Sequence, residues 1–150
     1  MDDIHDLNPL EKPMHVNAYL MFKGNCEEAF RTYAQITGGK IEMMLPHRGS
    51  PAEAETPPEW QDKILHACLK IGDTTIMASD APPGRQYNER GGFCMSLGVG
   101  NRAEAERVFA ALADGGKITM PITPTFFAAA FGMLIDRFGV PWMVVCEKEG

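Results

Sequence analysis

The sequence predicts an α+β chain built from two β-α-β-β-β modules, and three observations carry that expectation. Apolar residues alternate at period two in several short segments, while helical spacing occurs in only two. The same order of segments stands on either side of a Pro/Gly-rich stretch. Short motifs also recur: Gly24-Asn25 returns as Gly100-Asn101, Glu28-Ala29 as Glu104-Ala105, Tyr33-Ala34 as Phe109-Ala110, and Gly38-Gly39-Lys40-Ile41 as Gly115-Gly116-Lys117-Ile118. One extra residue in the second helical segment accounts for the shift in spacing. A unit present twice does not make a solenoid. It makes a duplicated supersecondary unit whose copies share one core.

Residues 1–13 are polar and end at Pro13, which reads as a loose arm. From His15 to Phe22 the residues Val16, Ala18, Leu20 and Phe22 share one apolar face, the signature of a strand. Asn25 is placed to cap the following helix, with Glu27 and Glu28 in its first turn, and Gly38-Gly39 stops it. Ile41–Leu45 is the second strand. Pro46–Pro58 has no periodicity and reads as a surface loop carrying a solvated His47. Gly72-Asp73 joins Lys63–Ile71 to Thr74–Ser79 as a hairpin. The second module repeats the scheme, with strands around Phe93–Val99, Lys117–Ile122, Ala128–Ile135 and Val140–Cys146, and a helix over Ala103–Ala113. The expected organisation is a single domain over 14–148: module one 14–80, linker 81–91, module two 92–148.

At 150 residues with 45% apolar content, the chain fits one compact domain. The net charge of −6 and the scatter of the basic residues speak against nucleic acid, whose phosphates need clustered Lys and Arg. No stretch approaches the roughly 20 apolar residues that cross a bilayer, so no membrane partner is expected. Met1–Asp6 has neither a basic nor an apolar leader segment. The four cysteines contain no Cys-x-x-Cys pair and read as reduced, half-buried thiols of a cytoplasmic protein.

The runs Ile64-Leu65-His66-Ala67, Ile71-Gly72-Asp73, Ala78-Ser79-Asp80-Ala81-Pro82, Gly115-Gly116-Lys117 and, above all, Asp136-Arg137-Phe138-Gly139-Val140-Pro141-Trp142 resemble the PhnB-like branch of the glyoxalase/bleomycin-resistance/dioxygenase (vicinal oxygen chelate) superfamily. The resemblance covers nearly the whole chain after Pro13. It implies paired modules whose sheets curl around a central cup. Members of the branch are often labelled 3-demethylubiquinone-9 3-methyltransferase-like, yet the sequence has no strand–glycine-rich loop–helix unit for S-adenosylmethionine. The wider superfamily holds a divalent metal with His and Glu from strands lining the cup. The corresponding positions here fall on Asn17, Cys94, Met143 and Ile76, a set poor in such ligands. The resemblance therefore implies that the usual metal site is absent, and it leaves the cofactor open.

Several residues remain as site candidates. His66 sits mid-strand, with Ile64, Cys68 and Lys70 expected on its face; it suits acid–base catalysis, or equally a structural hydrogen bond. Asn17 and Tyr19 offer polar contacts in an apolar cup. Ser79 and Asp80 end a strand, where Asp80 either reaches the cup mouth or caps the adjoining turn. Phe126, Phe131 and Trp142, with Phe127, Met133 and Met143, either wall a pocket or pack a core or dimer interface. Should a metal bind, His66, Asp80 and Glu147 are the relocated ligands, Glu147 being counted as the pseudo-equivalent of Asp80. The expected function is binding of a small molecule in the cup of a homodimer. The alternatives are a divalent-metal-dependent lyase, isomerase or dioxygenase with relocated ligands, and a bleomycin-resistance-like sequestering protein.

Overall fold

The computed structural model describes residues 14–82 and 92–148; the arm 1–13 and most of the linker 81–91 lie outside the described residues. Module one runs β1 (Ala18–Phe22), α1 (Cys26–Thr37), β2 (Lys40–Pro46), β3 (Ile64–Ile71) and β4 (Thr74–Asp80). Module two runs β5 (Met95–Val99), α2 (Arg102–Ala113), β6 (Lys117–Thr123), β7 (Ala128–Ile135) and β8 (Pro141–Glu147). Each module is one four-stranded mixed sheet, ordered β1-β4-β3-β2 and β5-β8-β7-β6. In both, the first strand pairs in parallel with the last, and the other pairings are antiparallel. Even the irregularities match, with register shifts at Ile41/Met43 in β2 and at Ile118/Met120 in β6. The duplication is real in three dimensions.

Alternation assigns the two faces of each sheet. Leu20, Phe22, Ala67, Leu69, Ile76 and Ala78 bury against α1, whose Ala29, Phe30, Tyr33 and Ile36 form its inner stripe. Ala130, Leu134, Trp142 and Val144 do the same against Ala105, Val108, Phe109 and Leu112 of α2. All these residues join one continuous core. The two modules therefore share a core through their helical layers, and the opposite, open faces of both sheets stay exposed within the protomer.

The junction between the modules is built on Asp136, which is buried in the β7–β8 turn. Its Oδ2 accepts from Tyr33 Oη of α1 at 2.5 Å and from Trp142 Nε1 at 2.9 Å. Its Oδ1 accepts from the backbone N–H groups of Phe138 and Val140 at 2.8 and 3.0 Å. Gly139 completes the turn at φ 84°, a conformation that suits a residue without Cβ. Arg107 of α2 adds a bond to the Ile36 carbonyl at the end of α1, 3.1 Å.

Four local expectations are corrected. β1 begins at Ala18 rather than His15, and Val16 is 97% exposed. Asn25, at φ −114° and ψ 23°, makes no side-chain cap bond, whereas Asn101 caps α2 through the Glu104 N–H at 2.8 Å. The Pro46–Pro58 segment contains a short 3-10 turn at Glu53–Glu55, and a second, Pro58–Trp60, begins at its end. His47 within it is 3% exposed, because its Nδ1 lies 2.9 Å from the Lys63 carbonyl and the turn folds over it.

Candidate functional site

The open face of the first sheet carries the densest group of candidate side chains. Tyr19 of β1 and His66 of β3 project to it, their rings stacked with centroids 5.7 Å apart, and Tyr19 Oη shares a 3.1 Å hydrogen bond with His66 Nδ1. On the other side of the imidazole, Nε2 lies 3.5 Å from Cys68 Sγ. Burial lifts the Cys68 thiol above its ordinary value, with the Glu42 carboxylate adding to the effect. The surroundings are apolar: Met21, Met43, Leu45 and Met77 occupy the same face by register. Polar pairs set in apolar walls are how small-molecule sites fix a ligand's orientation.

One end of this face opens into a cavity of about 630 Å³ beneath the Pro46–Pro58 segment. Met21, Leu65, Ser79 and Asp80 line it from the sheet, and His47 and Thr56 from the segment above. Leu65 reaches this side through a bulge: across β2 and β3, Leu45 pairs with His66 while Pro46 pairs with Ile64, leaving Leu65 as the extra residue. Ile64 turns into the core instead. The expected face of Ile64, His66, Cys68 and Lys70 is therefore broken at its start.

The remaining candidates separate. Asn17 is exposed just ahead of β1, with the same parity as Tyr19. Ser79 lines the cavity and donates to Met21 Sδ at 3.4 Å. Asp80 is structural: Oδ1 accepts from the Gly24 and Cys26 N–H groups at 2.8 and 3.0 Å, and Oδ2 from the Ile64 N–H at 2.9 Å. It thus closes the β1–α1 turn that Asn25 was expected to cap. Cys26, beside it, is pushed up to about 12 by burial first and then by the Asp80 and Glu27 charges.

In the second sheet, Phe131 stands on the open face, edge-on to Phe127, which in turn meets Phe126. Phe126 is 89% exposed. Trp142 does not join them: it pairs with Leu134 in register, faces the helices and is 2% exposed. Glu147 is not the counterpart of Asp80. The last parallel pairs are Phe22 with Asp80 and Val99 with Cys146, so Cys146 holds the equivalent position and Glu147 lies one residue beyond. The relocated set His66, Asp80 and Glu147 is not brought together. Among the described residues no group of three or more His, Cys, Asp or Glu side chains is placed to hold a metal ion. His47 and the bulged Leu65 are the site residues that sequence reasoning missed; the absence of periodicity in Pro46–Pro58 concealed the first, and a non-local register concealed the second.

Two fused βαβββ sheets with helices on one side and open faces on the other give the fold shared, at 16% identity and a TM-score of 0.62, with the glyoxylase/bleomycin resistance protein/dioxygenase domain from Frankia sp. EAN1pec, over 91% of this chain and 98% of that one. The chain belongs to the family described as 3-demethylubiquinone-9 3-methyltransferase, whose sequence profile matches residues 14–145. It is 34% identical over 144 residues to the protein YjdN of Escherichia coli strain K12, covering 91% of this chain and 97% of that one. The crystal structure of protein PA1353 from Pseudomonas aeruginosa is 50% identical, covers 91% of this chain and 100% of its own, and superposes with a TM-score of 0.83. The PhnB protein of Bacillus cereus shares the fold at 22% identity and a TM-score of 0.76, covering 89% of this chain and 99% of its own. No helix among the described residues is long and apolar enough to cross a membrane.

Proposed function

We propose that this protein binds a small molecule against the open face of its first sheet, with Tyr19 and His66 fixing one polar group, the methionines of that face meeting its apolar part and the cavity beneath Pro46–Pro58 receiving its far end. The observation that carries the reading is the hydrogen-bonded Tyr19–His66 pair, set among Met21, Met43 and Met77 and adjoining the cavity. Asn17 and Ser79 extend the polar contacts at either end. A second copy of the chain completes the cup. Each open face carries exposed apolar residues, among them Tyr19 and Leu45 on the first sheet and Met120, Phe126 and Phe127 on the second. Contiguous apolar surface of this kind favours association. We place this homodimer in the cytoplasm.

Binding is favoured over methyl transfer because both sheets are mixed and β1 has its parallel partner in β4, leaving no doubly wound nucleotide-binding unit among the described residues. It is favoured over a divalent-metal reaction because the Asp80 carboxylate is committed to three backbone amides. The test is mass spectrometry of small molecules that co-purify with the protein, with Tyr19→Phe and His66→Ala compared with wild type at matched thermal stability. A molecule retained by wild type and depleted in both variants is expected. Identical ligand profiles in all three proteins would remove Tyr19 and His66 from the site.

A further inference from the structure

The register of the first sheet places three sulfur side chains in one row. Met43 of β2 lies opposite Cys68 of β3, and Cys68 lies opposite Met77 of β4, all on the open face. His66 leans onto the middle of that row, its Nε2 3.5 Å from Cys68 Sγ. We propose that Met43, Cys68, Met77 and His66 form a site for a soft monovalent cation, Cu⁺ or its analogue Ag⁺.

Distance, reach and donor chemistry each support this. Bond lengths of about 2.0–2.1 Å to an imidazole nitrogen and about 2.3 Å to a thiolate subtend an N···S edge of about 3.6 Å at the tetrahedral angle, taking Zn²⁺ as the d¹⁰ yardstick. The observed 3.5 Å matches that edge in length. Directly opposed residues on neighbouring strands have Cβ atoms about 4.5–5.5 Å apart. The three rotatable bonds of methionine let both thioethers swing over the central sulfur. Two thioethers, one thiolate and one imidazole select Cu⁺; harder divalent ions need more nitrogen or oxygen donors than this row supplies. Lys40 and Lys70 pair one row further along, where they oppose a second positive charge more than a first. Binding exchanges the thiol proton for the metal, Cu⁺ + HS–Cys68 → Cu–S–Cys68 + H⁺, with no change of oxidation state.

The second sheet supplies an internal control. Met120, Met133 and Met143 repeat the row at the corresponding strands, ending on Ser96, with neither a cysteine nor a histidine in it. Thioethers alone should hold the ion far more weakly. The site shares His66, Met43 and Met77 with the small-molecule reading and is separated from it by Cys68, to which that reading assigns no part.

The experiment is anaerobic titration of the intact protein with Cu⁺ against a chromophoric Cu⁺ chelator, with Ag⁺ as a redox-inert check and proton release recorded in weak buffer. One ion per chain and one proton released per ion are expected. Cys68→Ser should weaken binding by more than about 100-fold, the double variant Met43→Leu/Met77→Leu by about 10–100-fold, and Met133→Leu not at all. X-ray absorption on the loaded wild type should count three sulfurs and one nitrogen, a readout independent of how the variants fold. Tight binding that survives Cys68→Ser, Zn²⁺ displacing Cu⁺ at equal concentration, or a coordination shell without thioether sulfur would each overturn the site. Loss of co-purifying molecules in His66→Ala with Cu⁺ binding unaffected in Cys68→Ser would sink this proposal and leave the small-molecule reading standing.

Discussion

Replacing Asp80 by Asn separates a structural carboxylate from a ligand-binding one. Three backbone N–H groups, those of Gly24, Cys26 and Ile64, converge on its two oxygens at 2.8, 3.0 and 2.9 Å, and the side chain is buried. Hydrogen bonds to a charged acceptor contribute about 1.5–3 kcal/mol each. Asparagine keeps Oδ1 for Gly24 and Cys26 as a weaker, neutral acceptor. It sets an amide NH₂ against the Ile64 N–H, so one bond is lost and a buried donor is left unpaired. The net loss comes to about 2–4 kcal/mol, a large part of the 5–15 kcal/mol that holds a domain together. At this chain length that lowers Tm by roughly 4–16 °C. Removing the charge also relieves Cys26, whose thiol Asp80 helps to push upward, so the variant's Cys26 should titrate below about 12. Urea unfolding followed through the buried Trp142 measures the first effect, and alkaline thiol titration the second. A stability change within about 0.5 kcal/mol, the range of an ordinary surface substitution, would refute the structural assignment.

The Cys26 thiol also gives a pH dependence. Its folded value, about 12, lies above the ordinary 9.0, so the folded state keeps a proton that the unfolded state loses. Stability should be flat below pH 9 and decline between pH 9 and 12, by at most about 4 kcal/mol; Cys26→Ala should remove most of that slope in urea midpoints compared at pH 8 and 10.5. Tyr33→Phe deletes one of the two side-chain donors to Asp136 and should cost about 1.5–3 kcal/mol in urea unfolding, with a change under about 0.5 kcal/mol counting against the junction. Gly132→Ala would place a Cβ 2.6 Å from Phe109 Cε2 and 2.9 Å from Ile122 Cα, so calorimetry should record a loss of about 1–3 kcal/mol from overpacking between α2 and β7.

The architecture was legible because it is written twice in local signals. Gly24-Asn25 and Gly100-Asn101, the Gly-Gly-Lys-Ile runs and the period-two segments are short-range features, and each maps onto a strand end or helix stop. The turn that Asp136 and Gly139 build is likewise held by residues close in sequence. What escaped was set by contacts far along the chain. Asn25 looked like the cap of α1, but Asp80, brought in by β4, takes the N–H groups at that turn. Trp142 seemed to belong with Phe131, yet pairing with Leu134 turns it to the helices. The bulge that separates Leu65 from Ala67 depends on the length of β2 relative to β3, which no window of sequence around His66 contains. His66 and Tyr19 were singled out separately; only the sheet register brings their rings together.

The ten methionines provide the most direct probe of whether a second copy covers the open faces. Methyl NMR of methionine-labelled protein, with a soluble nitroxide added, reports which methyl groups solvent can reach. If the cup is completed by dimerisation, Met21, Met43, Met77, Met120, Met133 and Met143 resist broadening at high protein concentration and lose that protection on dilution, while Met14 broadens throughout. Broadening of the open-face methyls as strong as that of Met14 at every concentration would contradict the covered cup.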